Sequence, residues 1–182
     1  MPDTEELINR ITETGFECTR CGSCCTRIST DSNLVMVSAP EIRKIMQATG
    51  LEWNEVVKPY PETLKAPGGG RYTFAWCLRR DEDKCIFLKE NGKKCSIYEN
   101  RPWICRTYPF MLGDEDLLIF ECSHPGKQIT REDAQVILDE LIERRKHEEM
   151  EIETITKIFK KTVIPPGSLI VIDSEGVKTI HE

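Results

Sequence analysis

The chain has 182 residues, with 25 basic and 31 acidic side chains, a net charge of -6 and nine cysteines. That length suits one domain with room for an appendage, and 39% hydrophobic against 31% charged residues describe a soluble globular protein, too apolar for a disordered acidic chain. No stretch approaches the roughly 18 apolar residues of a membrane span, the acidic start Asp3-Thr4-Glu5-Glu6 does not read as a secretory leader, and the negative balance argues against gripping phosphates. The expectation is a cytoplasmic protein with no nucleic-acid and no membrane partner.

Leu7, Ile8 and Ile11 recur at helical spacing and predict a short amphipathic helix over residues 3–14, stopped by Gly15. A second helix is predicted from Ser38, whose hydroxyl can cap a first turn holding Pro40 and Glu41; it carries Ile42, Ile45 and Met46 and stops near Gly50. A shorter helix over Leu51–Val57 ends before Pro59 and Pro61. Residues 61–70, with the Gly68-Gly69-Gly70 run, read as a loop, and no Lys-Ser/Thr follows to make it a phosphate loop. Arg71–Leu78 alternates as a strand does, and short extended pieces are expected at Cys85–Leu88 and Leu117–Glu121.

After Thr130, with Asp133 as its capping partner, one helix is expected to run to Lys160. Continuous, it would be about 46 Å long. Ala134, Ile137, Leu138, Leu141 and Ile142 mark a core-facing stripe in its first half, and Ile152, Ile155, Ile158 and Phe159 one in its second. Glu143–Glu149 is polar all round, which predicts a protrusion, bend or break there, with Arg144-Arg145-Lys146-His147 a solvated face. Beyond Pro165-Pro166-Gly167, Ser168–Asp173 and Val177–Ile180 predict a terminal hairpin turning at Gly176.

A reducing cytosol disfavours disulfides, so the cysteines point to metal binding or thiol chemistry. Cys18-Thr19-Arg20-Cys21-Gly22-Ser23-Cys24-Cys25 has the two-residue gaps that let a tight turn aim sulfurs at one point, with Gly22 giving backbone freedom. Thiolates are soft donors, suited to zinc or iron–sulfur clusters and unsuited to calcium or magnesium. In an extended chain the adjacent Cys24 and Cys25 leave opposite faces, so one can serve a first site and its neighbour a second. Cys18, Cys21 and Cys24 make a C-x2-C-x2-C run like that of bacterial ferredoxins, without the usual following Cys-Pro. Cys85, Cys95 and Cys105 follow, each separated by nine residues, and then Cys122. Cys77, between Trp76 and Leu78, reads as a core thiol.

The blocks Phe16–Cys25, Cys85-Ile86-Phe87-Leu88, Cys95-Ser96-Ile97-Tyr98-Glu99, Arg101-Pro102 and Cys105-Arg106-Thr107-Tyr108-Pro109-Phe110 together resemble the YkgJ-like cysteine-cluster family, zinc- or iron-chelating domains that also include the longer flagellin lysine N-methylases. The resemblance covers roughly residues 16–126 and implies Cys18, Cys21, Cys24, Cys25, Cys85, Cys95, Cys105 and Cys122 as metal ligands. Cys122-Ser123-His124-Pro125-Gly126 is a looser match to the family's later Cys-Pro-Gly, which makes His124 a reserve ligand. Arg101 and Arg106 read as braces of the surrounding loops or as donors to the sulfurs, and Trp103, Tyr108 and Phe110 as a shell that keeps water away.

The expected fold is α+β: a loop-rich cysteine-cluster domain over 1–126, then a helical and hairpin extension over 127–182 packed on it. The first functional reading is an iron–sulfur protein of the 4Fe–4S type, with or without a separate zinc or iron site, passing single electrons if redox-active. The alternatives are a zinc-stabilised interaction module with a protein partner and, by analogy with the methylases, an accessory to lysine methylation. No catalytic constellation is recognised: there is no Ser-His-Asp set, no H-E-x-x-H helix and no paired carboxylates at motif spacing. Metal binding is expected to carry much of the folding free energy.

Overall fold

A computed structural model describes residues 3–26, 33–89, 94–114, 116–122, 127 and 129–180. His124 with its neighbours Ser123, Pro125 and Gly126, and also His181, lie outside the described residues.

Helix starts and stops follow the capping chemistry of the sequence. Helix α1 (Thr4–Thr14) buries Leu7, Ile8 and Ile11 and ends at Gly15, whose left-handed φ of 61° lets its N–H reach Ile11 O. Strand β1 (Met36–Val37) leads into α2 (Ala39–Thr49), where Ser38 and Glu41 form a reciprocal capping box and Pro40 lies in the first turn. The predicted third helix shrinks to one turn, α3 (Trp53–Val56), and gives way to strand β2 (Val57–Pro59). Within the predicted 61–70 loop, β3 (Leu64–Lys65) pairs with β4 (Arg71–Thr73).

The single strand expected over Arg71–Leu78 is two. After β4 the chain turns, Thr73 Oγ1 accepting from Ala75 N, and β5 (Trp76–Leu78) joins a different sheet. Strands β6 (Arg80–Asp81) and β7 (Lys84–Cys85) form a small antiparallel pair. Then come α4 (Trp103–Thr107), the pair β8 (Phe110–Leu112) and β9 (Leu117–Ile119), α5 (Arg131–Phe159), and the hairpin β10 (Leu169–Asp173) and β11 (Gly176–Ile180). One sheet has the order β1-β5-β2; the other is β11-β10-β4-β3, with β10 parallel to β4. The fold is α+β, and no helix among the described residues is long and apolar enough to cross a membrane.

Two hydrophobic clusters hold these elements. The first gathers Ile42 and Ile45 of α2, Val56, Val57, Trp76, Leu78, Phe87, Ile97 and Val171; the second packs Leu7, Ile8 and Ile11 of α1 on Ala134, Leu138 and Leu141 of α5, with Phe110 and Leu117. Both draw on residues from either side of residue 126. Fully burying a side chain the size of Leu or Ile contributes roughly 1.5–3 kcal/mol, so apolar packing supplies more of the fold than its loop content suggests.

Helix α5 corrects two expectations. It runs unbroken for 29 residues, about 44 Å, because its polar middle is docked. Arg144 is buried, donating from Nη1 to Thr107 Oγ1 at 3.0 Å and from Nε to Glu148 at 2.7 Å, and Arg145 donates to Gly113 O at 2.6 Å. The run Arg144–His147 is therefore no uniformly solvated face: His147 is exposed on one side but tilts against the Trp103 ring. In the second half Phe159 stacks on Tyr72 and meets Phe74 edge-on, whereas Ile152, expected to face the core, is 64% exposed.

Candidate metal centre

The first cysteine turn is built by backbone conformation. Arg20 and Gly22 adopt left-handed φ values of 57° and 83°, and the chain then tightens into one turn of 3-10 helix over Ser23–Cys25, with Cys25 N–H reaching Gly22 O at 3.0 Å. This is not the extended chain on which opposite faces for Cys24 and Cys25 rested. Their sulfurs lie 4.0 Å apart, near the roughly 3.8 Å edge of a tetrahedron with 2.3 Å zinc–sulfur bonds. Cys21 Sγ and Ser23 Oγ are 3.3 Å apart, and that hydroxyl, donating to the thiolate, holds the Cys21 pKa below the usual thiol value.

Short backbone links bring the segments of Cys85 and Cys95 to this turn. Thr26 bridges Lys84 beside Cys85, Lys94 N–H donates to Arg20 O at 3.3 Å, and Cys95 bridges Leu88. Cys105 lies in α4, whose first amide, Trp103 N, donates to Glu41 Oε1 at 2.7 Å. Cys122 follows β9, next to Glu121, whose carbonyl accepts from the Tyr108 hydroxyl. Phe16 meets both Tyr108 and Phe110 edge-on, so an aromatic wall stands behind the segment that enters the turn.

The electrostatics show which thiols share a neighbourhood. Cys24 is held above the usual thiol value first by its contact with Cys25, then by burial and the charges of Cys25 and Cys21. Burial raises Cys85, Cys95 and Cys105, and all three also feel Cys24. Cys95 in addition feels Cys18, and Cys105 feels Cys85 and Cys95, while Arg101 favours both thiolates. The Tyr108 hydroxyl, raised first by burial, feels Cys122, Cys24 and Cys21. Cys21, Cys25, Cys85, Cys95 and Cys105 each lie within electrostatic reach of Cys24, and Cys18 within reach of Cys95, whereas Cys122 is connected to them only through Tyr108. Cys77 is fully buried, 3.6 Å from Lys58 O, and its neighbours in charge are Lys58 and Arg80, with no cysteine among them.

The sulfurs are gathered but not drawn to a point: among the described residues no three Cys, His, Asp or Glu side chains converge as a metal-binding group. Their chemistry nevertheless fits a soft metal, since all eight donors are thiols and nine free thiols are present. Cationic N–H groups fit as well. Arg80 Nη1 and Arg106 Nε are buried without a hydrogen-bond partner among the described residues, and Arg80 stands directly opposite Cys85 in the β6–β7 pair. A centre of four thiolates on Zn²⁺, or on a doubly charged 4Fe–4S core, carries a net charge of about -2 and would use such donors.

Arg101 and Arg106 act partly as the braces expected of them. Arg101 lies 3.5 Å from the Tyr98 ring centre; Arg106 lies 3.9 Å from that of Trp103 and 3.6 Å from Glu140. Arg80 and Tyr98 went unread in the sequence as parts of the site. Tyr98 had a signal, three residues after one cysteine and three before Arg101, whereas Arg80 had none, because its position depends on strand register.

An uncharacterized protein of Methanocaldococcus jannaschii is 32% identical over 95 residues, 52% of this chain and 44% of that protein, so the chain matches less than half the length of this relative. No solved structure matches the chain. The CxxCxxCC family model, described as a "putative zinc- or iron-chelating domain", matches residues 17–132. That span takes in all eight candidate cysteines and also Cys77. The chain belongs to this zinc- or iron-chelating cysteine-cluster family.

Proposed function

We propose that Cys18, Cys21, Cys24, Cys25, Cys85, Cys95, Cys105 and Cys122 hold an iron–sulfur centre of the 4Fe–4S type, with or without a second zinc or iron site, in a cytoplasmic electron-transfer protein. The observation that carries the reading is the 4.0 Å Cys24–Cys25 contact with Cys21, Cys85, Cys95 and Cys105 in the surroundings of Cys24, while no cysteine neighbours Cys77. The C-x2-C-x2-C run and the later cysteines supply three close ligands and several distant ones, as cluster binding requires. An iron–sulfur cluster held there supplies one-electron chemistry.

The protein's own residues have three tasks in this reading. The 3-10 turn and its bridges bring the sulfurs together, Phe16, Tyr108 and Phe110 keep water from one side, and Arg80 and Arg101 offset the negative charge. No side chain is asked to move a proton.

A zinc-stapled module with a protein partner is the second reading. It is favoured by the 4.0 Å Cys24–Cys25 separation and by the way the eight cysteines tie together segments more than 100 residues apart. Purification without oxygen, followed by visible absorption and analysis for iron, sulfide and zinc, decides between them. A coloured protein with iron and sulfide supports the first reading, and a colourless one with zinc alone supports the second. A chain without any metal, which takes none up when reduced, refutes both.

A further inference from the structure

Two guanidinium groups stack on one ring. Arg20 Cζ lies 3.8 Å, and Arg101 Cζ 3.5 Å, from the centre of Tyr98. Two planar cations cannot share one face at that height, so the ring lies between them. Each face of the ring presents its negative quadrupole to one cation, which lets two like charges approach the same group. Arg101 is anchored locally, donating from Nε to Tyr98 O at 2.8 Å. Arg20 comes from the first cysteine turn, more than 70 residues earlier, and its carbonyl accepts from Lys94 N at 3.3 Å. The stack and the backbone bond therefore join the segment bearing Cys18 and Cys21 to the segment bearing Cys95.

We propose that Tyr98 is a positioning residue of the metal centre, its ring clasped between Arg20 and Arg101 so that the Cys18–Cys21 turn is held against the Cys95–Cys105 segment. The inference rests on the metal-binding reading above. It assigns the work to the ring faces and none to the hydroxyl. The contact is made by protein groups alone, so it holds two ligand-bearing segments together before a metal arrives and slows their separation afterwards.

The test uses the full-length chain, reduced and loaded with Co²⁺, whose bonds to thiolate absorb visible light, and follows the loss of that absorption under excess EDTA. Tyr98→Leu removes both ring contacts while remaining apolar, and release becomes about tenfold faster. Tyr98→Phe keeps the ring and stays within about twofold of the unaltered chain. Arg20→Gln speeds release about threefold in the unaltered chain and has no effect in the Tyr98→Leu background, because the partner is already gone.

Release from Tyr98→Leu at the unaltered rate, or from Tyr98→Phe as fast as from Tyr98→Leu, overturns the proposal. If Tyr98→Leu does not fold, Arg20→Gln decides alone, and release at the unaltered rate overturns it. An unaltered chain that takes up neither Co²⁺ nor, when supplied with sulfide, iron refutes the metal-binding reading itself, and the proposal with it.

Discussion

Replacing Arg80 with methionine separates the cost of a buried cation in the metal-free chain from its benefit to a thiolate centre. Among the described residues one Nη of Arg80 is buried without a hydrogen-bond partner while the other donates to Asn33 O. A buried donor left unmade costs about 1–3 kcal/mol, and an ordinary hydrogen bond contributes about 1 kcal/mol. Removing both should therefore leave the metal-free chain unchanged or up to about 2 kcal/mol more stable.

The loaded chain should respond in the opposite sense. Arg80 and Cys85 are cross-strand partners in β6–β7, with β-carbons about 5 Å apart. Opposite unit charges about 6 Å apart attract by about 3 kcal/mol at an effective dielectric of 20. The metal's positive charge cancels part of that, leaving about 1–2 kcal/mol, or about a five- to thirty-fold loss of metal affinity. Calorimetric melting of the metal-free chain and competition against a coloured chelator measure the two arms. Unchanged affinity together with a lower melting temperature of the metal-free Arg80→Met chain would refute the reasoning and make Arg80 a brace for Asn33.

Other substitutions probe separate parts of the structure. Cys77→Ala should leave metal content unchanged and lower stability by about 1 kcal/mol, and in the intact chain the Cys77 thiol, its pKa pushed up by burial, should react with a thiol reagent only on unfolding. Leu138→Ala, at a fully buried position of the α1–α5 core, should cost about 3 kcal/mol in a denaturant titration. A methyl group at Gly70 would lie 2.3 Å from Pro165 O and 2.7 Å from Ile164 Cγ2, so Gly70→Ala should destabilise by about 2 kcal/mol and lower the melting temperature. Burial holds the Glu151 carboxyl above the usual glutamate value, against the opposing bond from Ser174, with Glu41 and Asp173 adding to the rise. Its contribution is therefore fully present below the unfolded pKa near 4.5 and is lost as pH rises through the folded value; Glu151→Gln, which keeps an acceptor for Ser174, should remove that part of the pH dependence of melting.

The elements legible in the sequence are those with a local stop or start. Gly15, the Ser38–Glu41 box, the Thr130–Asp133 box and Gly176 each act within four residues, and α1, α2, α5 and the terminal hairpin follow from them. Strands of two residues, such as β1, β3 and β6, carry no periodicity to read; they exist because a distant partner offers a ladder. The burial of Arg144 likewise depends on Thr107, 37 residues away. At the candidate site the first four cysteines stand out by their spacing and the later ones by family resemblance, while the approach of their segments depends on long-range links such as Thr26 to Lys84 and Lys94 to Arg20. The Tyr98 clasp and the position of Arg80 opposite Cys85 depend on the same kind of link.

The parallel pairing of β10 with β4 also sets an order of events during synthesis. Tyr72 must wait for Ile170, its partner in the ladder, and at about 5–20 residues per second that wait is about 5–20 s on the ribosome. Cys122 is made some 50 residues before Ile170, so the full set of eight thiols exists while the sheet still lacks its central strand. Trp76, whose indole N–H donates to Asp173 at 2.8 Å, is unsealed over the same interval. Under the proposed metal-binding reading, metal supplied to the nascent chain therefore meets all eight candidate thiols before the sheet closes, whereas metal supplied to the finished protein meets them after β10 and β4 have paired.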